Sequence, residues 1–178
     1  MTDHNSRATQ FARKAILIRA HHSNISDEDV QESLDELKLL VEGLGIQVLQ
    51  YIVQKRAEKP GASYLGEGKL MELAKLTGGS GIVERGPDAN NTSNLKLRQD
   101  LSVFADDDLS PGQLRHLQLA LGVEVKDRTA VILDVFESRA QTREAKLEIE
   151  MAKLEYELPR IRDDHSFCLL YTSDAADE

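Results

Sequence analysis

Apolar positions along the chain fall into short continuous runs and helical spacings. The run at 14–20 is almost wholly apolar and bounded by polar sequence, which is typical of a buried strand with both faces covered. Ser26 then precedes three acidic residues in a capping pattern, and apolar residues follow at intervals of four and three. A second, β-branched run occupies 46–53 after Gly45. The order strand, helix, strand predicts a parallel crossover unit.

The same criteria predict further elements up to residue 127. These are helices over 66–77 and 111–121 and strands at 82–83, 101–105 and 123–125. Ser110 and Pro111 open the second of these helices, and the Gly/Asn-rich segment 86–94 has the composition of an exposed loop. The predicted fold class is therefore α/β, a small parallel-sheet subdomain over 14–127 that follows a disordered N-terminus at 1–13.

From residue 128 onward the apolar spacing is helical, and we predict a long-helix subdomain over 128–165. A helix over 142–162 would be about 31 Å long at 1.5 Å per residue. One face carries a heptad seam with spacings of four and three, formed by Leu147, Met151, Leu154, Leu158 and Ile161. A projecting helix that needs a partner fits this pattern, and without a partner the seam predicts self-association. An amphipathic helix lying on the sheet is the alternative.

Composition and charge narrow the functional classes. The chain has 178 residues with 22 basic and 31 acidic side chains, a formal charge of −9 and one cysteine. One cysteine can build neither a disulfide framework nor a zinc ribbon. The chain contains no run of 18 to 20 apolar residues and no signal peptide at its start, so we expect a cytoplasmic protein. Net acidity argues against nonspecific nucleic-acid binding, although residues 27–42 alone hold seven acids against one lysine, which leaves room for a local basic edge.

Candidate chemistry centres on the glycine-rich start of the helix predicted over 66–77. Gly66, Gly68 and Lys69 resemble a phosphate-cradling loop at a helix N-terminus, but the spacing fails the Walker pattern and a leucine follows the lysine. The alternatives are an ordinary helix start and a weak phosphate contact. His21 and His22 lack partners at metal-ligand spacing, so no metal site is predicted. The acidic run 106–108 is either a turn before Ser110 or a magnesium site.

Three stretches together resemble one known family. They are Tyr64–Lys69, Asp107–Arg115 and Val125–Arg160, and they are similar to the N-terminal region of the HflX-type ribosome-associated GTPases. The resemblance implies an α/β subdomain followed by an antiparallel helical hairpin, placed before a P-loop GTPase domain. It further implies that the full-length protein binds the large ribosomal subunit and its rRNA, and that its GTP-bound form, with Mg²⁺, helps to split stalled ribosomes.

The sequence departs from this family pattern in two respects. Segment 86–94 is longer than the usual connection, and no Walker sequence occurs in the chain. We therefore expect a fragment that lacks the GTPase domain and the second hairpin helix, with no cofactor of its own. The last residues, 168–178, resemble the translation of a sequencing adapter, so 166–178 is interpreted as an artefactual tail that includes Cys168.

Two functional hypotheses from different classes follow. The first is a ribosome-docking module whose phosphate contacts are Lys69, Arg139, Arg143, Arg160 and Arg162. Alternatively, these basic side chains form ion pairs within their own helix, with acids such as Glu144 and Glu148. The second hypothesis is a free-standing α/β domain that binds or hydrolyses an adenine nucleotide at its strand ends. Whether this chain is an enzyme stays open.

Overall fold

The computed structural model describes residues 13–57, 63–82 and 97–165, without the side chains of 161–165. Of the predicted disordered N-terminus 1–13, residues 1–12 lie outside these residues, as do the loop 86–94 and the tail 166–178, and Arg13 is the first residue of a strand. The elements in chain order are β1 (Arg13–His22), α1 (Asp27–Gly43), β2 (Ile46–Arg56), α2 (Glu67–Thr77), β3 (Arg98–Ala105), α3 (Pro111–Leu121), β4 (Val123–Lys126), α4 (Arg128–Arg139) and α5 (Arg143–His165). Among these helices, none is long and apolar enough to cross a membrane.

The four described strands form one parallel sheet in the order β2-β1-β3-β4. Side chains alternate along the central strand β1, so that Ile16 and Ile18 face one side and Ala15 and Leu17 face the other. Helices α2 and α3 cover the first side, and α1 and α4 cover the second. Both faces are buried, which explains why β1 is an almost continuous apolar run. The predicted α/β fold with a parallel sheet is confirmed.

Helix boundaries follow from local capping chemistry. The Ser26 hydroxyl accepts a hydrogen bond from the Asp29 amide at 3.1 Å and begins α1. Ser110 forms a reciprocal capping box with Gln113 at the start of α3. Gly78 and Gly122 end α2 and α3 with φ of 83° and 64°, the left-handed region that favours glycine. The predicted caps at Ser26 and Ser110 are confirmed.

The strand predicted at 82–83 is wrong at Ile82, and Val83 lies outside the described residues. Gly81 has φ of 70°, and the Ser80 hydroxyl donates to the Ile82 carbonyl at 2.9 Å while accepting from the Ile82 amide. These contacts form a turn and leave Ile82 outside any strand. The β-branched pair had suggested a strand, but the local side-chain bond holds the backbone in a turn.

The helical region is divided in two by residues 140–142. Helix α4 packs on the sheet through Val131 and Val135, which belong to the same hydrophobic core as residues of β1 and β3. The predicted subdomain boundary at 127/128 therefore lies within one core. Helix α5 turns back after Ala140 and lies antiparallel along α4, with side-chain contacts from Lys153 to Asp134 and from Tyr156 to Asp127. The described side-chain bonds to the body come from the second half of α5, Lys153 to Arg160, and most side chains of its first half are exposed.

Candidate functional site

The turn between α4 and α5 carries exposed basic side chains. Arg139 ends α4, and Arg143 and Lys146 lie in the first turn of α5, against one acid, Glu144. Thr142 caps α5, because its hydroxyl accepts from the Ala145 amide at 3.1 Å. Within the described ranges, none of these three cations forms a side-chain hydrogen bond or ion pair, so the intrahelical pairing considered for Arg139 and Arg143 is absent there. We call Arg139, Arg143 and Lys146 the basic turn.

An exposed apolar stripe runs along α5 from the basic turn. Leu147, Met151, Leu154 and Leu158 are each at least half exposed. They lie on the side of α5 opposite Lys153, Tyr156 and Arg160, the side chains that contact the body. The predicted seam is thus exposed over these four residues, and the side chain of Ile161 is outside the described part. Self-association through this stripe stays a prediction.

The glycine-rich segment 66–69 starts α2, which covers the face of the sheet opposite to the face covered by α4. Gly66 is the N-cap of α2, with ordinary extended backbone and its amide bound to the Gln54 side chain at 2.7 Å. A Cβ at Gly66 would approach the Gln54 amide nitrogen at 2.9 Å, whereas Gly68 has open space around it. Lys69 forms an ion pair with Glu72 at 2.8 Å. These contacts describe a helix start, and phosphate binding here stays a prediction.

Arg160 lies at the other end of α5 from the basic turn and is largely enclosed. Its Nη2 donates to Asp127 at 2.9 Å and to the Leu109 carbonyl at 3.3 Å, and its guanidinium lies over the Tyr156 ring at 3.4 Å. A contact between Arg160 and RNA phosphate would have to compete with these bonds. The side chain of Arg162 is among those outside the described part. Of the predicted RNA-binding residues, the fold brings together Arg139 and Arg143 and separates Lys69 and Arg160 from them.

A polar cluster fills the carboxyl ends of β1 and β3, the place where doubly wound sheets commonly bind ligands. The Asp106 carboxylate is fully buried and bound by Arg19 at 2.5 Å and by Arg128 at 2.6 Å. Arg128 also forms an ion pair with Glu36. The Ser33 hydroxyl accepts from both guanidinium groups. The carboxyl ends of β1 and β3 are therefore filled by charges that neutralise one another, and Arg19 and Arg128 are both paired with Asp106.

The two aspartates beside this cluster are also bound within the fold. The Tyr64 hydroxyl donates to Asp107 at 2.5 Å and accepts from the Ala20 amide at 3.0 Å. Burial raises the pKa of Tyr64 well above its ordinary value, and the nearby Asp107 charge raises it further. Burial also raises the pKa of Asp107, although the bond from Tyr64 and the charge of Arg19 act in the opposite direction. Asp108 accepts from the Thr129 hydroxyl at 2.6 Å.

Sequence reasoning singled out the acidic run but missed the basic side chains that neutralise it. Asp106 and Arg19 are 87 positions apart, and Asp106 and Arg128 are 22 apart, so no local spacing joins them. The one signal in the sequence is an arginine inside an apolar strand, Arg19, since a buried charge needs a partner. Asp127, Tyr156 and Arg160 were missed as a contact set for the same reason.

Family comparison gives two adjacent matches along the chain. A family profile described as GTP-binding GTPase N-terminal matches residues 31–137, from α1 into α4. A second profile, described as GTP-binding GTPase Middle Region, matches residues 139–167, which include the basic turn and α5. The two profiles together span most of the sheet and the helical pair.

Individual relatives agree with these profiles. The GTPase HflX of Gluconacetobacter diazotrophicus is 38% identical, with 84% of this chain aligned to 37% of the relative. The GTPase HflX of Lacrimispora saccharolytica is 39% identical over 85% of this chain and 31% of its own length. A crystal structure of a GTP-binding protein from Sulfolobus solfataricus in complex with GDP matches with a TM-score of 0.53 and 25% identity, over 85% of this chain and 39% of that one. The chain thus spans well under half the length of these relatives.

Proposed function

Since this chain belongs to the HflX family of GTP-binding proteins, whose N-terminal and middle profiles it matches, we propose that it docks on the large ribosomal subunit through the basic turn. Ribosome binding is what the sequence resemblance implies for the full-length protein. The basic turn supplies the chemistry that such docking requires, because exposed and unneutralised arginines are the side chains that bind RNA phosphate.

The observation that carries the proposal is the contrast between the basic turn and the other arginines of α4 and β1. The chain has a formal charge of −9, and its other arginines in helix α4 and strand β1 are paired with carboxylates. Arg139, Arg143 and Lys146 stand at one turn with a single acid among them. A local cationic end on an acidic protein favours one orientation towards a polyanion, because the acidic surface is repelled.

We propose a structural partner for the apolar stripe and a location for the nucleotide chemistry. The stripe would pack against the second helix of a hairpin in a full-length protein, since four exposed apolar side chains at heptad spacing fit the geometry of a helix pair. GTP and Mg²⁺ would be bound by the part of such a protein that carries a Walker sequence, which these 178 residues lack. Splitting of stalled ribosomes would then need both parts.

Salt-dependent binding to purified large ribosomal subunits tests the docking role. Removing one side chain that neutralises a phosphate reduces the slope of log K against log salt concentration by about 0.7 to 0.9. We expect the double variant R139A/R143A to bind more weakly at low salt and to show a slope reduced by about 1.5. The measurement is sedimentation or fluorescence binding of the chain at a series of salt concentrations.

A matched variant separates docking through these arginines from a general change in charge. K55A/K75A removes the same charge from exposed positions on β2 and α2, away from the basic turn. We expect this control to shift affinity only slightly, with the wild-type slope. Equal slopes for R139A/R143A and the wild-type chain, or equal reductions of affinity in the two double variants, would refute docking through the basic turn.

The adenine-nucleotide hypothesis gains no support from the described geometry. The carboxyl ends of β1 and β3 are filled by Arg19, Arg128 and the buried Asp106 carboxylate, and α2 begins with a glycine bound to Gln54. A nucleotide phosphate at the sheet edge would have to displace these ion pairs. Nucleotide binding by this chain stays a prediction, and we propose no residues for it.

A further inference from the structure

Helix α5 is held on the body by polar contacts. Between Arg143 and Arg160, no described side chain of α5 is buried, so this helix adds no residue to either hydrophobic core. Its hydrogen bonds and ion pairs with the body come from Lys153, Tyr156 and Arg160. These bonds are the directional contacts that can fix how α5 lies on the body.

Asp127 is the centre of these contacts. Its side chain is fully buried, and each carboxylate oxygen accepts one bond from the body and one from α5. Oδ1 accepts from the Ala130 amide at 2.9 Å and from the Tyr156 hydroxyl at 2.7 Å. Oδ2 accepts from the Leu109 amide at 3.3 Å and from Arg160 at 2.9 Å. One carboxylate thus joins the loop before α3, the start of α4 and helix α5.

The remaining contact lies one turn closer to the basic turn. Lys153 donates to Asp134 at 2.9 Å and to Glu137 at 2.6 Å, and Lys126 shares Asp134. Beside α5, a pocket of about 330 Å³ that is partly open to solvent is lined by residues of α3, β4, α4 and α5, among them Leu114 and Leu133. The helix therefore does not pack closely along this side, and the ion pairs of Lys153 and the Asp127 bonds hold it there.

The connection between the two helices allows a change of direction. It consists of residues 140–142, of which Ala140 has extended backbone with φ of −66° and ψ of 119°, and Gln141 and Thr142 are exposed. Thr142 caps α5, and the Ala140 amide bonds back to α4, so each helix ends independently of the other. A short connection of this kind can rotate without breaking bonds within either helix.

We propose that Asp127 is a positioning residue that sets the direction of α5, and that its bonds from Tyr156 and Arg160 form a latch that opens by rotation about residues 140–142. In the closed state, the latch fixes the basic turn and the apolar stripe relative to the sheet. When Tyr156 and Arg160 leave Asp127, the ion pairs of Lys153 remain, and α5 can swing away once these break as well, while its own hydrogen bonds stay intact. This inference goes beyond the proposed function, because it concerns how α5 is held whatever the basic turn binds.

Distance measurement by double electron–electron resonance in the full 178-residue chain tests the latch. Spin labels go on cysteines placed at Glu32 of α1 and Glu155 of α5, both exposed and without described side-chain contacts, in a background in which Cys168 is replaced by Ser. The wild-type background should give one narrow distance distribution. The variant Y156F/R160Q should add a second, longer and broader population, and D127N should do the same.

Two controls make the result specific to the latch. E150Q changes an exposed acid on the same helix and should leave the narrow distribution unchanged. Y156F/R160Q keeps the bonds from the Ala130 and Leu109 amides to Asp127, so the start of α4 should stay capped in this variant. D127N changes the capping residue itself and could destabilise α4, which is why the double variant is the main test. Hydrogen exchange of β1 and β3 amides reports whether the sheet remains folded in each variant.

The outcomes discriminate clearly. A longer population in Y156F/R160Q with unchanged protection of β1 and β3 supports the latch. The wild-type distribution in both variants, or a longer distance that appears only together with loss of protection in the sheet, overturns it. Ribosome binding is a separate readout, because R139A/R143A leaves the latch residues intact. If that variant binds large subunits normally while the latch opens as expected, the docking proposal fails and the latch stands.

Discussion

Individual carboxylates in this protein have different acidities because their neighbours differ. Burial would raise the pKa of Asp134, but hydrogen bonds from Lys126 and Lys153 outweigh it and lower the pKa below its ordinary value. Asp107 has a tyrosine as its hydrogen-bond donor and Arg19 only at 4.0 Å, so burial dominates and its pKa is raised. Asp35 on the exposed face of α1 has a lowered pKa, chiefly because the Tyr51 hydroxyl donates to it.

Replacing Asp107 by Asn should make the protein less sensitive to pH. Because the folded pKa of Asp107 is above the unfolded value, the folded state binds more protons, and this residue's contribution to stability falls as pH rises from about 4 through the raised pKa. Asp107→Asn removes that titration and retains an acceptor for the Tyr64 hydroxyl. We expect the free energy of unfolding of the variant, relative to wild type, to increase between pH 4 and pH 7 in urea titrations. A constant difference across this range would contradict the assignment.

For single residues, the sequence predicts a hydrogen-bond partner only when that partner is close along the chain. Ser26 and Ser110 were identified as caps because each bonds to an amide three positions later. Arg19 and Asp106 meet across 87 positions, and their pairing depends on β1 and β3 lying side by side in the sheet. Short-range chemistry can be read from the sequence, whereas the neutralisation of a buried charge requires knowledge of the strand order.

The ends of α2 and α3 are in direct backbone contact. The Thr77 hydroxyl at the end of α2 donates to the Leu121 carbonyl at 2.8 Å, and the Gly81 amide donates to the Ala120 carbonyl at 2.9 Å. Gly79 lies between these bonds, and a Cβ there would be 2.3 Å from the Ala120 carbonyl oxygen. The contact therefore requires a residue without a side chain, because the obstructing atoms belong to the backbone.

Gly79→Ala should destabilise the fold by about 1–3 kcal/mol, the usual cost of overpacking a tight contact. Gly112→Ala is the matched control, since it lies in the first turn of α3 with nothing within 4 Å of its would-be Cβ. That change should stabilise by about 0.4–1 kcal/mol, because alanine lowers the entropy of the unfolded chain. Thermal and urea unfolding of both variants measures the difference. Similar effects of the two substitutions would show that the contact tolerates a side chain.

The elements themselves were largely predictable, and the way α5 docks was not. Apolar spacing identified the strands and helices because most core-facing residues are apolar, as Leu34 and Leu37 are in α1. In α5, the four apolar residues of the stripe face outward, and polar residues such as Lys153 and Tyr156 contact the body. A rule that places the more apolar side of a helix inside therefore selects the wrong side of α5 for its contact with α4.

For the molecule as a whole, the helical pair concentrates the surfaces that can take part in association. The basic turn and the apolar stripe lie on α4 and α5, while α1 carries an acidic exposed face and the sheet edge is filled by paired charges. An exposed apolar row on a small protein is a contact surface for a partner or for a second copy. The two features would be presented together to anything that approaches this end of the protein.

The isolated chain should associate with itself through the stripe as its concentration rises. Met151→Lys combined with Leu154→Lys places charges at two of the most exposed stripe positions, 62% and 60% exposed, and should keep the chain monomeric. The control E148K/E155K raises the charge of the same helix by adding lysines at exposed polar positions. Sedimentation velocity over a concentration series measures the average mass. A wild-type chain that stays monomeric at high concentration would contradict this expectation.

The central position of β1 has a consequence for synthesis. This strand is the first element of the sheet along the chain, yet one of its two neighbours is β3, and Arg19 meets Asp106 only after 87 further positions. At about 5 to 20 residues per second, a translating ribosome takes roughly 4 to 17 s to supply that partner. During this interval the nascent chain presents an apolar strand edge with no partner on one side, so β1 is open to aggregation or to binding by chaperones until β3 has been made.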